Sequence, residues 1–178
     1  MPSTQHLINA AWDARREGRH HEAERGLTQA INESREAGAR VDLIHGLEAL
    51  AHVVRDAGET DRALPISDEA VALCREEGDP LLLAHAVRHL GDLHRSAGRL
   101  DEAGGCYDEA LALYRQSGAA DPLDFANALR PAALLKEQLG DRPGARRLWH
   151  EARALYSAAG IQQAVEECAR HLEPSAPG

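Results

Sequence analysis

Residues 79–118 read DPLLLAHAVRHLGDLHRSAGRLDEAGGCYDEALALYRQSG. Apolar residues recur at three- and four-residue intervals on both sides of Gly98, the spacing of a helix with one buried stripe. Asp79-Pro80 places a capping side chain before a residue whose fixed φ suits the first helical turn. Gly98 and Gly118 end the two segments, because the residue after a helix terminus often needs a positive φ. The stretch predicts two amphipathic helices of about 15 residues each, joined by a short turn.

The rest of the chain repeats this unit. Glycines stand at 18, 38, 58, 78, 98, 118, 140 and 160, a spacing of 20 broken only by the step to Gly140. The division is four helix pairs, at about 1–38, 39–78, 79–118 and 119–160. Aligned on the central glycine of each pair, Ala23, Ala63, Ala103 and Ala145 fall in one column and Ala30, Ala70, Ala110 and Ala152 in another. Ahead of the glycine, Ala11, Ala51, Gly91 and Ala133 share a column, as do Leu7, Leu47, Val87 and Leu129. Small residues recur where two helix backbones must approach closely. Past Gly160, Ile161, Ala164, Val165, Cys168 and Leu172 keep helical spacing. They predict a capping helix over 161–173 that covers the apolar end of the stack, with 174–178 as a flexible tail.

These columns resemble the tetratricopeptide repeat. The family's small first-helix residue matches Gly91 and its equivalents, and its inter-helix glycine matches Gly18, Gly58, Gly98 and Gly140. Its two second-helix alanines match the two Ala columns, and its large second-helix residue matches Leu27, Tyr107 and Trp149. Repeat two departs there with Ser67, which implies weaker packing, and the family's closing proline is absent. The 40- to 42-residue repeat resembles the long-repeat branch of kinesin light chains and bacterial regulators. The resemblance implies an all-α fold: a right-handed superhelix (an α-solenoid) of four helix-turn-helix repeats and a capping helix, forming a single domain over 1–173.

Composition agrees and narrows the function. Aromatic residues are only 3% of the chain, so its core is built from Ala, Leu and Val, which favours close helix packing over strands. A net charge of −9 argues against a general nucleic-acid role, which needs a basic face to displace counterions. Lys136 is the single lysine among 20 basic residues, a bias expected of a GC-rich bacterial genome, and it leaves lysine chemistry one candidate. The N-terminal segment lacks the apolar core of a signal peptide, and no stretch approaches the roughly 20 apolar residues of a membrane span. Three cysteines without CxxC spacing fit a reduced cytoplasm. No phosphate loop, GxSxG or dinucleotide fingerprint is present, so neither a catalytic residue nor a cofactor is assigned. The Gly104-Gly105 pair inside a helix predicts close backbone contact, and Pro131 predicts a kink or a lost hydrogen bond.

In the resembled family, inner first-helix positions line a concave groove that usually holds a peptide. Carried over, they are Trp12, Arg15, His45, Glu48, His52, Arg55, His85, Arg88, His89, Asp92, Arg95, Asn127 and Arg130. The resemblance implies a non-enzymatic scaffold that binds a peptide or partner protein there, with no nucleic acid or membrane partner. A homodimer formed through the groove or the end faces is a further reading. Arg15, Arg55 and Arg95 form a ladder that either grips carboxylates or phosphates or pairs with in-chain acids such as Asp56 and Asp92. His85 and His89, one turn apart with His45 on the adjacent helix, give the alternative of a metal- or small-ligand-binding protein or an enzyme. They also introduce groups that titrate between about pH 5 and 8. Trp12 either anchors a ligand or packs the end of the array. Cys74, Cys106 and Cys168 fall in apolar columns and are expected to be buried, unreactive thiols.

Overall fold

A computed structural model describes residues 4–173 as nine α-helices joined by tight turns. The helices pair as α1 (Thr4–Arg16) with α2 (His20–Ala37), α3 (Arg40–Asp56) with α4 (Thr60–Glu77), α5 (Pro80–Ser96) with α6 (Leu100–Ser117), and α7 (Pro122–Gln138) with α8 (Arg142–Ala158), followed by α9 (Gln162–Leu172). All eight predicted glycines adopt positive φ at helix ends. At Gly98 (φ +75°) a Cβ would meet nothing within 4 Å, so the backbone conformation alone favours glycine there. Asp79 Oδ1 accepts from the backbone N–H of Leu81 and Leu82, and Asp121 Oδ1 from those of Leu123 and Asp124. Glu22, Asp61, Asp101 and Glu102 lie in first turns, where the helix dipole favours negative charge.

The small-residue columns are the core. Ala23, Ala63 and Ala103 and the column of Ala30, Ala70, Ala110 and Ala152 are all fully buried. Leu27, Tyr107 and Trp149 fill the space opposite them. Gly91 shows how tight the fit is. A Cβ there would lie 2.8 Å from the Tyr107 ring and 3.1 Å from the Cys106 Cβ.

Backbones of the first helices approach in series, α1 to α3, α3 to α5 and α5 to α7, whereas those of consecutive second helices do not among the described residues. The stack therefore curls with first helices inside. Across the wider outer face the second helices are joined by a repeating row of ion pairs: Arg35–Glu69 (2.6 Å), Arg75–Glu109 (3.0 Å) and Arg115–Glu151 (2.8 Å). Each is exposed and contributes only about 0.2–1 kcal/mol, so the row tunes register rather than holding the fold.

Two expectations change. Gly104 would place a Cβ 3.7 Å from Leu135 and Gly105 would meet nothing within 4 Å, so no close approach requires the pair. Cys106 is half-buried rather than buried, because its side chain sits at the edge of the α5–α6 contact. Helix α7 continues through Pro131, which is buried on its inner side. The tail 174–178 lies outside the described residues.

Since Gly105 is exposed inside a helix with open space at its Cβ, Gly105→Ala is expected to stabilise the chain by about 0.5–1 kcal/mol. Gly91→Ala is expected to destabilise it by about 1–3 kcal/mol, because the buried Tyr107 ring must move. Urea unfolding of the two variants checks both signs.

Candidate ligand-binding groove

The curl brings the inner faces of α1, α3, α5 and α7 together as a concave groove with two chambers. The first, about 610 Å³, is lined by Gln5, Ile8, Trp12, Arg15, His45, Glu48, His52, Arg55, His85, His89 and Asp92. The second, about 320 Å³, is lined by Arg55, Arg88, Asp92, Arg95, Ser96, Asn127, Arg130, Pro131 and Leu134. Arg55 and Asp92 border both. Every residue expected in the groove from the sequence lines one chamber or the other. Gln5, Ile8, Ser96, Pro131 and Leu134 line them as well, and Pro131 thus has a place in the site that its sequence context did not suggest.

A row of rings crosses three helices along the first chamber. Trp12 and His52 have centroids 5.8 Å apart, His52 and His89 meet edge-on at 4.3 Å, and His89 and His85 at 4.5 Å. The Arg15 guanidinium lies over Trp12 at 5.0 Å. Trp12 is half-buried against the first-repeat core and also lines the chamber. His85 Nδ1 stands 3.1 Å from Glu48 Oε1, and its Nε2 3.3 Å from His89 Nε2. Arg88 donates to His89 Nε2; since a guanidinium can only donate, that nitrogen accepts and the His89 proton resides on Nδ1. His89 Nδ1 lies 3.7 Å from Asp92 Oδ2 and makes no hydrogen bond.

The histidine cluster therefore differs from the alternative metal-ligand set of His45, His85 and His89. His52 joins His85 and His89, while His45 is exposed at the chamber wall. Among the described residues no group of three or more His, Cys, Asp or Glu side chains is arranged to hold a metal ion, so His45, His85 and His89 do not form the alternative ligand set. An i, i+4 pair on one helix needs a neighbour at matching height, and the side chain that approaches His89 Nε2 is the cation Arg88.

The groove is rich in cations, most of them already paired. Arg15 and Arg55 both donate to Asp56, at 2.6 and 2.9 Å. Burial opposes ionisation of Asp56, but the hydrogen bonds from Arg55 and Arg15 outweigh it and hold the carboxyl below its usual value. Arg88 donates to Asp92 (3.3 Å), which also accepts from the Tyr107 hydroxyl (2.7 Å). Arg130 grips both carboxylate oxygens of Glu167 on α9 at 2.7–3.0 Å. Asn127 accepts from the Tyr156 hydroxyl at 2.8 Å. The arginine ladder stops at Glu137, which instead accepts from Trp149 Nε1 (2.8 Å) and lies 3.0 Å from His171 Nδ1 on α9. Tyr107 entered the sequence reading only as a packing position, and Tyr156 and Glu167 did not enter it; their hydroxyl and carboxylate groups carry no periodic signal.

The cysteines are not part of the groove lining. Burial raises the Cys74 and Cys106 thiols to about 12 and about 11, so both stay protonated and poorly nucleophilic.

The matches to known proteins agree with this geometry. The tetratricopeptide-repeat family model matches residues 42–116. Residues 42–116 thus carry tetratricopeptide repeats, and the described chain has the fold of such repeat proteins. BtubC (BKLC) from P. vanneervenii has the same fold with a TM-score of 0.77 at 21% identity, covering 88% of this chain and 64% of that one. A Rap protein complexed with competence and sporulation factor gives 0.83 at 14% identity, covering 93% and 45%. The nearly identical TPR-like repeats of a chain described as a kinesin light chain from Podosopora anserina give 0.59 at 16% identity, covering 93% and 91%. The repeat chain thus spans less than two thirds of the BtubC and Rap structures. No curated protein sequence matches it significantly.

Burial, followed by the charges of Arg55, Arg15 and Arg88, lowers the His52 pKa to about 3, and burial with Arg88 drives His89 well below the ordinary histidine value. Both histidines are neutral in the folded chain near neutral pH. On acidification the unfolded chain takes up protons from its ordinary histidine pKa of about 6.5 downward, while the folded chain does not, so stability falls as pH drops from about 6.5 toward 3. At pH 5 the loss through His52 alone is about 2 kcal/mol. Urea unfolding at pH 7.5 and pH 5 is expected to show a smaller drop for His52→Gln than for wild type. Equal drops in the two proteins would contradict a half-buried, neutral His52.

Proposed function

We propose that this repeat protein is a non-enzymatic scaffold that holds an extended peptide segment of a partner protein in its concave groove. The observation that carries the reading is the groove itself. Four successive first helices present two adjoining chambers, one walled by rings and the other by guanidinium groups, with Arg55 and Asp92 between them. An extended segment can place an apolar or aromatic side chain against Ile8, Trp12 and His52 while its main chain meets Asn127, Arg88 and the imidazoles. Ring-walled pockets and arginines are the groups that anchor partners at protein interfaces. The fold shared with a Rap protein complexed with competence and sporulation factor supports a ligand-holding role. Three free cysteines, and among the described residues no helix long and apolar enough to cross a membrane, are in keeping with a cytoplasmic setting.

Selection of a displayed random-peptide library on the immobilised chain tests the reading. Selected peptides are expected to lose about tenfold in affinity on at least one of Trp12→Ala, His45→Ala and Arg95→Ala. They should bind the outer-face variant Arg75→Ala as tightly as wild type. Peptides indifferent to all three groove changes would overturn the groove as the binding surface.

A further inference from the structure

The corner where α2 turns into α3 holds a pocket apart from the groove. Its volume is about 220 Å³, and it is lined by Ser34, Arg35, Gly38, Arg40, Leu43 and Leu73, none of which borders either groove chamber. Leu43 and Leu73 give it apolar walls. Arg35 and Arg40, both about half exposed, stand at its rim, tied to Glu69 and to Glu76 and Glu77. Ser34 is only 1% exposed, and its hydroxyl is buried without a hydrogen-bond partner among the described residues. A buried hydroxyl left unpaired costs stability that a polar atom entering the pocket would recover.

The repeat itself shows what such a corner holds when it is full. At the turn from α6 into α7 the equivalent positions carry rings. Tyr114 stands in the column of Ser34 and Phe125 in that of Leu43, and the two rings stack with centroids 5.8 Å apart. Arg115, in the column of Arg35, lies over Phe125 at 5.7 Å while keeping its ion pair with Glu151. The first corner retains the arginine and its ion pair, Arg35–Glu69, but has a hydroxymethyl group and a leucine where the other has two rings. The smaller side chains leave open a space that rings close at the other corner. An apolar cavity of about 150 Å³ is enough to take up benzene.

We propose that this pocket takes a tyrosine side chain presented by a partner protein, with Arg35 over the ring and the Ser34 hydroxyl bonded to the phenol oxygen. The arginine completes a cation–π contact of the kind Arg115 already makes, and the phenol satisfies the one buried hydroxyl. A second copy of this chain does not supply the ring, because its three tyrosines, Tyr107, Tyr114 and Tyr156, are all buried. Val41, the next residue after Arg40, is one of the large apolar side chains left exposed, so a chain-borne ring brings neighbouring atoms that can cover it. The site is independent of the groove and gives the protein a second surface for partners.

Two probes on the full chain test it: p-cresol, the tyrosine side chain alone, and the blocked pentapeptide acetyl-Ala-Ala-Tyr-Ala-Ala-amide. Methyl NMR is expected to show saturable shifts of the Leu43 and Leu73 resonances with both. Cyclohexanol, which has a hydroxyl but no π face, should bind at least about threefold more weakly than p-cresol. Arg35→Ala and Ser34→Ala should each weaken p-cresol about threefold, and Arg115→Ala should leave it unchanged. Ser34→Tyr fills the corner as Tyr114 fills its own and should abolish binding. Circular dichroism establishes that each variant is folded; should Ser34→Tyr not fold, the other two variants decide. No saturable shift with p-cresol, equal binding of cyclohexanol, indifference to Arg35→Ala, or binding retained by folded Ser34→Tyr overturns the ring site. Indifference to Ser34→Ala overturns the choice of a phenol over a plain ring, and binding of p-cresol without the pentapeptide overturns the partner protein as its source.

Discussion

The whole molecule depends on how closely paired helix backbones approach. Alanine or glycine at a few inner positions lets them close, and Gly91 against Tyr107 is the tightest case. Close approach on the inner side, with first helices touching one another in series, forces the second helices apart on the outer side. Curvature follows from that asymmetry, and the groove follows from curvature. Larger side chains at those positions would straighten the stack and flatten the groove.

Inside the groove, burial and charge act against each other. The cations Arg15, Arg55 and Arg88 surround His52 and His89, and their field adds to burial in keeping both imidazoles neutral. Most guanidiniums are in turn neutralised by carboxylates at the rim or on a neighbouring helix. Asp56 serves two arginines at once, so the first two rungs of the ladder form one triad. The surface that results is rich in hydrogen-bond donors but carries less net positive charge than its sequence suggests. Arg95 departs from this pattern because its local carboxylate, Asp92, is taken by Arg88 and Tyr107.

Much of this was legible in the sequence. The glycine spacing marked the helix ends, Asp79 and Asp121 marked two caps, and the alanine columns marked the core. The inner-face columns likewise contained the residues that line the chambers, because a strict repeat converts sequence position into a place on the superhelix. Where the reading failed, the signal was ambiguous in kind. Gly104-Gly105 has the composition of a close contact but faces open space, and a sequence does not state what lies opposite a given Cα. His45 and His85 share a column, yet His52 is the residue that reaches His89, because side-chain direction depends on the rotation between successive repeats.

The sequence by itself determined the repeat, its period, its helix ends and the residue types that face inward. Those properties are local or periodic, and they follow from backbone conformation and helical spacing alone. Only the tertiary structure decided which inward residues are engaged with one another. Pairs such as Arg15–Asp56, His85–Glu48 and Arg130–Glu167 join residues about one repeat apart. Their formation depends on the pitch of the stack and on side-chain reach, neither of which is written in any single helix.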